Sequence, residues 1–244
     1  PGETSGFLRV VELAGWEGRP FFDDTGLPWT APSPNMPTLE TAIVYPGQVA
    51  LEGTNVSEGR GTTRPFELCG ASYIDPAAVR CTLMAWGYLA PAAGPGRGAQ
   101  EPPSVPGGEA AAALQTTTVV RGAAGTVLEG TLWREVAYEP TFHKDAGALV
   151  RGFQLHVVDR AVYRPVAATI ALLSAIRHCH GDRFAWAQPP YEYEYDRPPV
   201  DLIYGTDAVR LAIDAGTPAH DIAEDWTAPV RGFEDRVNPY LLYD

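Results

Sequence analysis

Apolar and polar positions change rhythm several times along the chain, and each rhythm predicts an element. FLRVVEL, at residues 7–13, reads as an apolar strand. It gives way to FFDDTGLPWTAPSPNMP, where glycine and proline crowd together and predict an ordered loop. Thr38 stands before LETAIVY as an N-cap, and Pro46-Gly47 predicts the end of that short helix. QVALEG then reads as a buried strand with a polar loop leaving its carboxyl end. Asp75-Pro76 is an N-cap followed by proline at the first helical position, so AAVRCTLMAWGYLA is predicted as a helix. Strand, loop and helix in this order predict an α/β class, in which ligand loops sit at the carboxyl ends of strands.

Beyond Pro91 the pattern dissolves into PAAGPGRGAQEPPSVPGG and an alanine run, which predicts a flexible insertion at residues 91–115. TTTVVRG, TVLEGTLWREVAYEPTF and RGFQLHVVD follow, all β-rich. In the last of these Phe153, Leu155 and Val157 alternate with Gln154 and His156, which share a face. Pro165 opens a predicted helix with Val166, Ile170, Leu173 and Arg177 along one side and Gly181 as its stop. TDAVRLAIDAG and residues 217–237 predict two more, the second with Ile222, Trp226, Val230, Phe233 and Val237 at helical spacing.

Composition narrows the function classes. The 244 residues are 45% hydrophobic and 20% charged, as in a globular protein. A formal net charge of −12 disfavours non-specific nucleic-acid binding, which needs a basic surface. No apolar run approaches the roughly 18 residues of a membrane span. Three scattered cysteines make neither a disulfide framework nor a zinc spacing.

The richest chemistry lies in EGTNVSEGRGTTRPFE, residues 52–67. Its glycines permit positive φ and close backbone approach. Arg60 and Arg64 are planar forks suited to a carboxylate or phosphate. Glu58 is a candidate acid, base or arginine partner. Two readings fit these residues: a ligand loop, or a structural loop in which Glu58 and Arg64 pair internally. Lys144 and His143 follow one strand, and Asp159-Arg160 end another, so both polar ends can converge on one cleft or merely terminate strands. His156 reads either as a core histidine or as a ligand. Tyr191, Tyr193 and Tyr195 alternate on a possible strand, where packing is favoured over stacking on sugar rings. His178 and His180, two apart at a helix end, point to different sides and do not predict a metal site. DDTG, at residues 23–26, occurs once and lacks the second carboxylate an aspartic protease needs, so a turn at Asp24 is expected.

PSPNMPTLETAIVYPG (32–47), EGTNVSEGRGTTRPFE (52–67), PTFHKDAG (140–147), GFQLHVVDRAVYRP (152–165), VDLIYGTDAVR (200–210) and the closing NPYLLYD together resemble one bacterial family. Its members are exo-acting β-N-acetylmuramidases of peptidoglycan recycling, and the resemblance covers the later portion of such a protein. It implies a Rossmann-like catalytic domain, whose C-terminal portion would be residues 1–90, and a smaller α+β auxiliary domain at residues 116–244. It implies a substrate cleft that binds a peptidoglycan-derived sugar or muropeptide, no cofactor, export from the cytoplasm, and an N-terminal portion of the same protein as partner.

On this resemblance Glu58 is the carboxylate of catalysis. Asn55, Ser57, Arg60, Thr62 and Arg64, with Lys144 and His156, bind the sugar, and the two arginines meet its lactyl carboxylate. His143 stands where the family more usually has a smaller residue. The alternative from another class is a muropeptide-binding module without catalysis.

Overall fold

The computed structural model describes residues 9–15, 21–92 and 118–243. The chain divides into two compact units, one of residues 31–225 and one joining residues 1–30 to 226–244. The insertion expected at residues 91–115 lies almost wholly outside the described residues.

In the larger unit, α1 spans Leu39–Gln48, with the Thr38 side chain accepting from the Thr41 amide as its cap. Pro46 does not stop this helix as expected. The run predicted as a strand is instead a 3-10 helix, Val49–Gly53. Ala50 and Leu51 are buried there, so the apolar signal was one of burial, which periodicity over so few residues cannot assign to a strand. A side chain on Gly53 would meet the Val200 backbone at 2.7 Å, so a close approach requires glycine at this turn.

Five strands follow: β1 Leu68–Ala71, β2 Leu89–Pro91, β3 Val119–Gly122, β4 Thr131–Tyr138 and β5 Val150–Val157. They form one sheet in the order β1-β5-β4-β3-β2, antiparallel at every pairing. The fold is therefore mixed α/β. The outer strands come from the part expected to be a Rossmann-like remnant, yet no parallel pair occurs among the described residues. Registry places Cys69 opposite Phe153, and Trp133 opposite Leu155, on the buried face. Burial pushes the Cys69 thiol up to about 12, against a weaker opposing bond to the Phe153 carbonyl, so it is no nucleophile.

Two helices pack on β5: α1, and α2 at Pro76–Ala85. Both also pack against α3, Pro165–His180. The expected one-sided stripe on α3 is too narrow a reading, since Ala168, Ile170, Ala171, Leu172, Leu173 and Ala175 are all buried. It is a central helix, apolar nearly all round. After it come α4 Pro199–Tyr204, α5 Ala208–Asp214 and α6 Ala219–Glu224.

In the smaller unit, α7 spans Thr227–Val237 and buries no side chain. The single helix expected over 217–237 is thus broken at Asp225 and Trp226. Residues 9–13 form no strand, and the rest of that expected element lies outside the described residues. No helix among the described residues is long and apolar enough to cross a membrane.

Asp75 caps α2, accepting from the Ala77 amide at 3.0 Å and the Ala78 amide at 3.5 Å, while its own amide donates to His180 Nε2. Asp75→Ala is expected to cost about 1 kcal/mol, read as a lower urea midpoint with an unchanged slope.

Candidate functional site

The loop at residues 52–67 is fastened at three places. Ser57 pairs through its backbone with Gly70 on the edge strand β1, at 2.7 and 3.0 Å. Asn55 is held by the segment after α3: its side chain donates to the Arg183 carbonyl and accepts from the Ala185 amide and the Tyr73 hydroxyl. The Gly61 carbonyl accepts from both the amide and the hydroxyl of Thr141. Gly61 has φ +80°, and a Cβ there would meet the Phe142 backbone at 2.7 Å. Glycine is required at that crossing, which brings PTFHKDAG onto the loop.

Glu58 lies at the centre with its side chain 0% exposed. Its Oε1 accepts from Arg60 Nη1 at 3.2 Å and His143 Nδ1 at 3.0 Å, and its Oε2 from Lys144 Nζ at 2.9 Å. Lys144 also donates to the carbonyls of Leu51 and Val56. Burial pushes the Lys144 ammonium below its ordinary 10.5, and Glu58 opposes that shift. Arg60 reaches Glu52 as well, at 2.7 Å, and lies over the Phe66 ring. Glu52 accepts in turn from the Tyr191 hydroxyl at 2.8 Å, whose pKa rises chiefly by burial. His143 and Asp145, flanking Lys144, both hold positive φ, 72° and 54°. Such backbone strain in non-glycine residues gathers at functional sites.

The residues singled out from sequence divide into three groups. Glu58, Arg60 and Lys144 form the buried ionic cluster. Asn55, Ser57 and Thr62 hold the loop: the Ser57 hydroxyl accepts from the Gly59 amide, and the Thr62 hydroxyl donates to the Gly59 carbonyl. Arg64 and His156 face outward. Arg64 is 45% exposed and meets Glu67 at 3.5 Å, while Glu67 is tied to Thr38 and Thr41 of α1. His156 shares the outer sheet face with Gln154, which accepts from Arg134. Partial desolvation, and then the Arg134 charge, push the His156 imidazole below its ordinary 6.5; Glu67 pulls it up and Arg64 pushes it down.

Sequence reading missed Glu52, Glu67, the bond from Tyr191 to Glu52 and the contact of His143 with Glu58. Two carboxylates bounding a loop that holds two arginines were a signal for internal pairing. The tyrosine row is not a packed strand face: a turn links Tyr191 to Glu194, and Tyr193 and Tyr195 are exposed. The helix-end histidines serve separate contacts, His180 at Asp75 and His178 against Trp86.

An antiparallel sheet backed by helices, with a carboxylate-centred loop fixed at its edge, places the chain among compact α/β domains with a polar loop site. The chain belongs to the family described as exo-β-N-acetylmuramidase NamZ, C-terminal, whose model it matches over residues 43–88 and 93–243. It is 30% identical over 237 residues to the peptidoglycan β-N-acetylmuramidase NamZ of Bacillus subtilis strain 168, covering 97% of this chain and 45% of that protein. It is similar in fold to two DUF1343 family proteins of Bacteroides fragilis. One has TM-score 0.65 and 18% identity, covering 94% of this chain and 49% of that one. The other has TM-score 0.51 and 20% identity, with 88% and 44% covered. The chain thus spans about half the length of the relatives it matches.

Removing the Glu58 charge strands a largely buried ammonium. Glu58→Gln is expected to cost roughly 3 kcal/mol in urea unfolding, and adding Lys144→Met should recover part of it, a coupling that independent sites would not show. His156 gives a pH signature. Its folded pKa is lowered, so the unfolded chain binds more protons as pH falls through 6.5 and below. Relative to His156→Gln, the native chain should lose stability on acidification between about pH 8 and pH 5, measured by denaturant midpoints.

Proposed function

We propose that this chain is the C-terminal half of a glycosidase acting on peptidoglycan, one that releases terminal N-acetylmuramic acid from the non-reducing end of fragments, as the family resemblance implies. In that reading residues 1–90 continue a Rossmann-like catalytic domain and the loop at 52–67 forms one wall of the substrate cleft. The observation that carries it is the Glu58 cluster, built on the stretch the family match spans and edged by exposed cations. N-acetylmuramic acid differs from its neutral counterpart by a lactyl carboxylate. Arg64 on the same loop is 45% exposed, and His143 at Glu58 is 43% exposed. With His143 Nδ1 donating to Glu58, Nε2 is the acceptor left for a hydroxyl of the sugar. Arg60 is spent on two glutamates, so the anion-binding role passes to Arg64.

Glycoside hydrolysis requires a proton for the leaving oxygen and stabilisation of an oxocarbenium-like transition state. Both Glu58 oxygens accept from donors, so Glu58 acts as the charge that positions Arg60, His143 and Lys144, and the general acid comes from elsewhere in the cleft. The same occupancy favours the second reading, a muropeptide-binding module without catalysis.

Calorimetric titration with N-acetylmuramic acid, beside release of that sugar from a chromogenic β-muramide, tests both readings. Arg64→Ala and His143→Ala should each weaken binding about tenfold or more, and only His143→Ala, which removes a donor from buried Glu58, should also lower the unfolding midpoint. Parental affinity in both variants would remove the loop from ligand recognition. Binding with no turnover by the whole polypeptide selects the module.

A further inference from the structure

A cavity of about 550 Å³ opens where the carboxyl ends of α2 and α3 face the segment joining α5 to α6. Its lining includes no residue of the loop at 52–67. Trp86, directly after α2, forms one wall and is 41% exposed. Its aromatic neighbours meet it at steep angles: the His178 ring at 5.5 Å and 66°, the Tyr88 ring at 6.3 Å and 80°. Neither stacks flat on the indole. A large aromatic side chain left part-open beside a concavity is an available apolar surface.

The polar part of the lining is fixed in place. Arg177 Nε donates to Asp214 Oδ1 at 3.1 Å, and Trp186 Nε1 donates to both Asp214 oxygens at 3.1 Å. Arg177 is held further through the Gly181 carbonyl. The Tyr88 hydroxyl and His220 Nδ1 lie 2.9 Å apart, and the His220 amide also donates to that hydroxyl. An aromatic wall therefore shares the cavity with a rigid donor and acceptor whose charges cancel.

We propose that this cavity binds a neutral pyranose ring, with its C–H face on Trp86 and its hydroxyls on Arg177 and Asp214. A pyranose has one face of weakly positive C–H groups that suits the negative face of an indole. Its hydroxyls each donate and accept, matching a guanidinium beside a carboxylate. The paired charges of Arg177 and Asp214 give no net attraction to an anion or a cation. A wholly apolar ligand would desolvate the ion pair without replacing its water contacts. The site rests on its own residues and stands or falls independently of the loop.

Titration of the whole chain with N-acetylglucosamine, followed by NMR, tests this, with glucuronate as the charged control. The Trp86 indole N–H and Tyr88 ring resonances should shift saturably with a Kd of about 1 mM, His143 should not move, and the affinity should change little with salt. Trp86→Ala should weaken binding about tenfold or more. If that variant misfolds, the resonance shifts in the parent chain still decide. Absence of saturable binding, shifts centred on the loop, parental affinity in Trp86→Ala, or tighter binding of glucuronate would each overturn the proposal. A loop that fails to bind N-acetylmuramic acid would be read on His143 and Arg64, leaving this cavity untouched.

Discussion

A carboxylate withdrawn from water keeps its place when protein donors replace the lost solvation, and Glu58 makes that demand on the whole site. One donor, Arg60, comes from the same loop; two, His143 and Lys144, come from a segment 85 and 86 residues later. The loop and the 140–147 turn consequently cannot be positioned separately. The turn accepts positive φ at His143 and Asp145, each worth on the order of 1–3 kcal/mol, because both of its ends are tied. Lys144 sits on Glu58 and two carbonyls, while Asp145 accepts from the amide and hydroxyl of Ser72, just past β1. The edge of the sheet, the loop and the turn are thereby locked into one arrangement.

What was legible in the sequence was what local chemistry decides. Thr38 and Asp75-Pro76 mark their helices because capping involves amides two or three residues away. The alternation in β5 put Gln154 and His156 on one face, as observed, because pleating depends on nearest neighbours. Strand order was not legible. β1 pairs with β5 across more than eighty residues, and nothing in LCGA names its partner. Nor could QVALEG reveal a 3-10 helix, since the turn is imposed by Gly53 lying against Val200, far along the chain.

The site was half legible for the same reason. Glycines, arginines and a glutamate in one loop announced polar work, and Glu58 is its centre. Which arginine would be spent internally depended on Glu52, whose hydroxyl donor, Tyr191, comes from a turn 139 positions away. Arg60 and Arg64 are alike in type and only four residues apart, yet one bridges two carboxylates while the other meets Glu67 at 3.5 Å. Composition cannot separate them; placement does.

Placement also explains how an acidic chain can present cations to solvent. Glu52, Glu58 and Glu67 balance Arg60, Arg64 and Lys144, so formal charge gives the cluster no preference for an anion. The carboxylates, however, are sunk, with side chains at 11%, 0% and 4% exposure, while the cations stand at 24%, 45% and 20%. A ligand arriving from solvent meets the positive ends of these pairs first. Such a field is short-ranged, because each cation stands beside a carboxylate and salt screens the remainder beyond about a Debye length of 10 Å. It acts on a small anionic group only at close range, and it gives little attraction for a polyanion held at the surface.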